Sequence, residues 1–412
     1  MTLSLRTLFE APLLVDYSAA VAALLASGEQ GSDAIAALDR AQPLPQSLAQ
    51  NRLWLLWQLA PESAAYNIPA GLRLRGELDP AAVQASFQAL VNRHEALRTR
   101  FSEVDGQALQ QVQPQVEFSL QHLDCEGLPA SEVASRREHE AVQPFDLGRG
   151  PLLRVTLVRL ADDEHQLWVT LHHIVADGWS LNILLDEFAR LYAGHCQGQP
   201  VHLAPLPLGY ADYGTWQRQW LAQGEGARQL QFWTEQLGEQ PPVLDLCTDH
   251  PRSAQREQRA ARLNVKVPNA LAQALEGLGR DHQASLFMVL LAGWQALLQR
   301  YTGQTDIRVG VPNANRPRLD TQGLVGFFIN TQVLRAELDG RTAFDQLLAQ
   351  VRTRTLDAQA NQDLPFEQLG SAVRATARSI ASGPRAGPVP GHVQSPAARS
   401  VGPAPSAWPA RR

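Results

Sequence analysis

From Gln166 to Tyr192 the hydrophobic period changes from two residues to about 3.6 across one Asp-Gly turn, which defines a strand–turn–helix unit. Leu167, Val169 and Leu171 alternate with Trp168, Thr170 and His172, so residues 166–172 read as a strand. Its end carries His172 and His173, which face opposite sides of the sheet. Asp177-Gly178 forces the turn, Ser180 is placed to cap the next helix, and residues 181–192 have a strong amphipathic face. A chain built from such units must lay helices on sheet.

The same texture runs from residue 44 to 369. Residues 49–59 carry apolar side chains at helical spacing, and Leu72 and Leu74 alternate with Arg73 and Arg75 as a half-buried strand does. Asp79-Pro80 is an N-cap followed by a first-turn proline, with Val83, Phe87 and Leu90 on one face of the helix. Residues 153–160 form another strand. After a boundary near 205–230 the pattern repeats: a strand near 261–267, a helix after Pro268, and a nearly all-apolar helix over 286–301 that reads as central. Strands over 307–311 and 327–334 and a helix over 343–359 follow. With 44% hydrophobic and 19% charged residues the chain has material for large cores. Residues 29–43 are polar and read as a linker. Residues 370–412, rich in Ala, Arg, Pro, Gly and Ser, lack periodicity and read as disordered.

The chemistry sits in the turn. An imidazole titrates near pH 6.5 and can take a proton from an amine at neutral pH. His173 and the Gly178 amide stand at a strand end beside a helix N-terminus, where a backbone donor can stabilise an oxyanion. The residue types therefore point to acyl transfer. Two other uses remain open at this level: a satisfied pair in a buried turn, or, with Asp177, a metal site.

The remaining composition excludes several classes. A net charge of −5 is not a nucleic-acid footprint. Cys125, Cys196 and Cys247 are scattered and form no CxxC pair, as expected of thiols in a reducing cytoplasm. No basic-then-apolar leader and no run of about 18 apolar residues occurs, so neither secretion nor a membrane span is expected.

His172-His173-Ile174-Val175-Ala176-Asp177-Gly178 resembles the HHxxxDG signature of condensation domains of non-ribosomal peptide synthetases. Five further motifs follow the family's order: Ser47–Trp54, Arg93–Thr99, Tyr210–Trp216, Val325–Thr331 and Asn361–Glu367. The resemblance covers residues 44–369. It implies an α/β fold of two chloramphenicol-acetyltransferase-like lobes, 44–215 and 216–369, forming a V with a central tunnel, the second lobe incomplete. It also implies that His173 deprotonates or positions an acceptor α-amine, that the Gly178 amide faces the oxyanion, and that His172 supports. Asp177 would pair with Arg98 or Arg316, and Asn330 and Trp216 would lie near the tunnel or support it. No cofactor or metal is expected in the domain itself. 4'-Phosphopantetheine arrives on upstream and downstream peptidyl carrier proteins, which an adenylation domain loads.

The ends carry further resemblances. Residues 1–28, with Leu3–Phe9 and Glu10-Ala11-Pro12, resemble the last helices of a peptidyl carrier, which implies a donor ending in an L-residue. Past Leu369 the match stops. Back-translated and read one base later, Pro388–Pro396 can give Leu-Phe-Gln-Val-Met-Phe-Asn-His, similar to the family's next strand motif, so a frameshift between about 370 and 387 is expected. Alternatives on the same fold are an epimerisation-type relative and a non-catalytic remnant. His172 and His173 exclude a cyclising relative, whose motif carries aspartates.

Overall fold

The structure, a computed structural model, describes residues 7–8, 11, 13–26, 34–238, 242–247, 249 and 263–370. In chain order its elements begin with α1 (Leu14–Ala26), β1 (Leu44–Pro45), α2 (Leu48–Leu59), β2 (Asn67–Arg75), α3 (Pro80–Arg93), β3 (Thr99–Val104) and β4 (Gln107–Val112). Next come β5 (Gln121–Asp124), α4 (Ala130–Ala141), β6 (Leu153–Ala161), β7 (Glu164–His172), α5 (Gly178–Gln197), α6 (Tyr210–Trp220) and α7 (Gly226–Leu237). The last are α8 (Asn269–Asp281), α9 (Leu286–Thr302), β8 (Asp306–Asn313), the short α10 (Leu319–Gln322), β9 (Asn330–Glu337) and α11 (Phe344–Ala360). Among the described residues no helix is long and apolar enough to cross a membrane.

The chain divides into two compact units, and the first holds Ala34–Gln223 and Ala314–Ile329. Its main sheet has the order β2-β7-β6-β5, antiparallel except for the parallel β5–β6 pair, and a smaller sheet runs β1-β4-β3. Strand alternation decides which layer each β7 side chain meets. Leu167, Val169 and Leu171 enter the large core with Val83, Phe87 and Leu90 of α3 and Leu184 and Phe188 of α5. Trp168, on the opposite face, packs with Cys125, Val158 and Val133 of α4. The Asp79 side chain caps α3 by accepting from the amides of Ala81 and Ala82, as its sequence predicts.

Two boundaries differ from expectation. Of the presumed linker 29–43, residues 34–43 lie against the first unit. Ile35 is buried, the Leu38 amide donates to Asp212 at 2.8 Å, and Arg40 pairs with Asp212 at 2.7 Å and Glu95 at 2.9 Å. Residues 314–329, expected in the second lobe, belong to the first unit instead, because Leu324, Val325, Phe327 and Phe328 are buried in its core.

The second unit includes Gly224–Asn313 and the chain from Asn330 to 370. Strands β8 and β9 pair antiparallel from Asp306↔Glu337 to Asn313↔Asn330. Ile307, Val309, Leu334 and Ala336 are buried with Met288 of α9 and Leu348 and Val351 of α11. Here three sequence expectations are corrected. Helix α9 buries only one face: Leu290, Trp294, Leu297 and Tyr301 are 41–71% exposed. Residues 263–267 form no strand, and Leu263, Val265 and Val267 are exposed; 261–262 lie outside the described residues. Strand β9 starts at Asn330, since Phe327–Ile329 are spent on the other unit's core and rim. The expected carrier tail falls only partly on described residues, of which 14–26 are helical, and the expected disordered tail lies, but for Gly370, outside them.

Candidate active site

Strand β7 ends at His172, and the two histidines then part company. His172 is 3% exposed, between the rings of Tyr66 and Phe145, whose centroids lie 6.4 and 6.1 Å from its own. Its Nδ1 accepts the Ile174 amide at 3.1 Å, so the ring proton is on Nε2. Burial, and then the neighbouring His173, push its pKa down to about 3, and the ring is neutral. His172 is thus a buried, neutral imidazole whose lone pair holds the Ile174 amide within the turn.

His173 is held differently. Its amide donates to the Tyr66 carbonyl at 2.8 Å, and its Nδ1 lies 2.8 Å from the Ala176 carbonyl. A carbonyl only accepts, so Nδ1 carries the proton and Nε2 keeps its lone pair. The Phe327 ring meets the imidazole edge-on, with centroids 4.8 Å apart and planes at 62°. Burial lowers the pKa of His173, against the opposing pull of the Ala176 hydrogen bond and the Asp177 charge. Burial thus favours the neutral ring, and the Ala176 carbonyl selects the tautomer that leaves Nε2 as acceptor.

The turn that follows is fixed by Asp177, which is fully buried and is itself the N-cap of α5. It accepts from the Ser180 amide and hydroxyl, each at 2.7 Å. Ser180, read as the cap from sequence, is the third helical residue; its hydroxyl ties the cap to other chain segments. Arg316 Nη2 lies 3.1 and 3.2 Å from the two Asp177 oxygens and 3.0 Å from Ser180 Oγ. Arg316 Nη1 donates to the carbonyls of Thr321 and Leu324, and the guanidinium lies 3.8 Å over the Phe328 ring. The Phe328 amide donates to Asp177 at 3.2 Å, the Gly326 amide to Ser180 Oγ at 3.1 Å, and the Trp179 indole to Gln322 O at 2.9 Å. Residues 316–328 are therefore strapped onto the start of α5.

The other expected residues stand apart from this network. Arg98 does not reach Asp177; its guanidinium donates to the Gln113 carbonyl. Trp216 stacks on Trp220 at 5.4 Å and lies under Arg318 at 4.8 Å, bracing α6. Asn330, in the second unit, donates to the carbonyls of Gln362 and Leu364 at 2.7 Å and accepts from the Phe366 amide, so it holds the 362–366 turn. Gly178 is exposed, a Cβ there would meet open space, and its amide has no acceptor among the described residues. Sequence reasoning gave no role to Ser180 beyond capping, and none to Tyr210 or Phe327. All three lie in or beside quoted motifs, but their partners are more than 100 residues away.

The turn thus holds an imidazole whose Nε2 is left as an acceptor, five residues before the first amide of α5, on an α/β frame. The condensation-domain model matches residues 40–380. A linear gramicidin synthase of Brevibacillus parabrevis is 44% identical over 373 residues, 89% of this chain and 5% of that protein. Malpinin synthetase of Mortierella alpina is 40% identical over 375 residues, 90% of this chain and 5% of that protein. The chain thus spans a small fraction of these relatives. Among solved structures, the X-domain from teicoplanin biosynthesis superposes with a TM-score of 0.75 at 27% identity, covering 83% of this chain and 76% of that one. The first condensation domain of the calcium-dependent antibiotic synthetase, 22% identical with a TM-score of 0.71 over 81% and 78% of the two chains, shares the fold. The chain belongs to the condensation-domain family, whose members are amide-bond-forming acyltransferases.

Proposed function

We propose that this chain joins two carrier-bound substrates. The α-amine of an aminoacyl group on an acceptor carrier attacks the thioester carbonyl of an aminoacyl or peptidyl group on a donor carrier. A C–N bond forms, the C–S bond breaks, and the donor phosphopantetheine leaves as its thiol, carrying a proton lost by the amine. The observation that carries this reading is the tautomer of His173: with Nδ1–H committed to Ala176, Nε2 can only accept, which an attacking amine requires. The Gly178 amide, at the first position of α5 and without an acceptor among the described residues, serves the carbonyl oxygen as it gains charge. The partners are peptidyl carriers on either side and the adenylation domain that loads them.

The test supplies the full chain with a peptidyl-loaded donor and an aminoacyl-loaded acceptor carrier and follows the acceptor by intact-protein mass spectrometry. Transfer of the donor acyl group is expected, with His173→Ala at least about 100-fold slower, as for loss of a general base. Equal rates for both proteins would sink the assignment.

A further inference from the structure

Two of the sequence motifs, around Ser47 and Tyr210, supply no group to the chemistry, yet both converge on the residues that back His173. Tyr210 Oη lies 2.5 Å from the Phe327 carbonyl and 2.9 Å from Ser47 Oγ. The carbonyl can only accept, so the single phenol proton goes to it, and Ser47 must donate to the phenol oxygen. Ser47 Oγ also accepts the Gln50 amide at 3.0 Å, and the Gln50 side chain accepts the Ser47 amide at 2.9 Å and reaches the Ile174 carbonyl at 3.4 Å. From the start of α2, then, one arm ends beside His173 in the chain. The other ends, through Tyr210, on the residue whose ring touches the imidazole.

We propose that Tyr210 is a positioning residue for His173, acting through Phe327; the catalytic side of this rests on the reading of His173 as the acceptor of the amine proton. The ring and the hydroxyl do separate jobs. The ring lies against residue 326, where a Cβ would come within 2.0 Å of Tyr210 Cδ2, so only glycine admits this approach. The ring also meets Phe328 edge-on at 4.9 Å. The hydroxyl adds the second tether to one peptide unit: the planar group joining Phe327 to Phe328 is held at its N–H by Asp177 and at its C=O by Tyr210, while the preceding peptide is held at the Gly326 carbonyl by Ser180 Oγ. With that carbonyl pinned, the Phe327 side chain is held against the imidazole. Tyr210 is 3% exposed, and burial pushes its pKa above that of an ordinary phenol, so the donor persists at any pH where the reaction runs.

The experiment uses the full chain with Tyr210→Phe, which keeps the ring, together with Phe327→Leu and the double variant. Two readouts are taken: condensation kinetics with loaded carriers, and nitrogen-15 NMR of the His173 ring. Tyr210→Phe is expected to lower kcat about tenfold, with KM for the acceptor carrier unchanged, as loss of one buried hydrogen bond would. The double variant should be no slower than Phe327→Leu alone. In the NMR spectrum the wild-type ring should show a single Nδ1–H form, and Tyr210→Phe should show both tautomers and a titration point shifted toward that of free imidazole. Unchanged His173 signals, or multiplicative losses in the double variant, would overturn the proposal, even if the melting temperature falls. A wild-type chain that makes no product while its His173 signals respond to Tyr210→Phe would count against the proposed function and leave the positioning role standing.

Discussion

At the residue scale, His173 and His172 show how one strand end makes two different imidazoles. Both are pushed toward the neutral form by burial, but their hydrogen bonds select opposite tautomers. Since the folded His173 pKa is lowered, it stays unprotonated below the ordinary imidazole value, and the acid limb of kcat against pH should fall at a pH below about 6.5. A limb centred above that value would show that another group limits the rate. At Gly178 neither φ nor packing demands glycine, and open space is what a side chain would fill. Gly178→Val is therefore expected to fold with a melting temperature within a few degrees of the wild type while slowing transfer at least tenfold, by blocking approach to the amide. Unimpaired transfer by that variant would remove the oxyanion role.

At the scale of elements, the start of α5 depends on a buried charge. Asp177 is fully enclosed and its principal cationic partner is Arg316, so Arg316→Met leaves a buried carboxylate without its cation. The expected cost is about 3–5 kcal/mol in urea unfolding, against about 1 kcal/mol for Asp79→Ala at the exposed cap of α3. A smaller loss for Arg316→Met than for Asp79→Ala would contradict this ranking. Local signals made many elements legible: Asp79-Pro80 gave the start of α3, alternation gave β7, and Asp-Gly gave the turn before α5. What sequence did not carry was long-range pairing. Arg98 and Arg316 are equally plain arginines in the chain, and only folding brings the second, 139 residues away, to Asp177. The one-sided burial of α9 is not legible in the sequence, because apolar composition does not say which face finds a partner. Likewise 263–267 alternates like a strand, but alternation needs a neighbour to pair with.

For the molecule as a whole, His172 makes stability depend on pH. Its unfolded pKa is near 6.5 and its folded pKa about 3, so below pH 6.5 the unfolded chain binds the proton that the folded chain refuses. Stability contributed by the neutral ring is fully present above pH 6.5 and is lost as pH falls toward 3, at up to about 1.4 kcal/mol per pH unit in that window. His172→Gln, which removes the titration, should flatten the dependence of urea-unfolding free energy on pH between 6 and 4. The same slope in both proteins would place the acid sensitivity elsewhere.

The strap of residues 316–328 means that the unit around His173 is not one stretch of gene. Reading from the amino end, the message spells the histidine turn, goes on to the helices and strand of the other unit, and only then supplies the arginine that neutralises Asp177. A ribosome that has finished residue 223 has made every catalytic group of the proposed reaction but not the counter-ion that lets the turn close. Any exchange of segments between related synthetases with a junction from 223 to 313 would mate a turn from one parent with a strap from another. Junctions outside residues 34–329 keep both halves of that contact in the same hands.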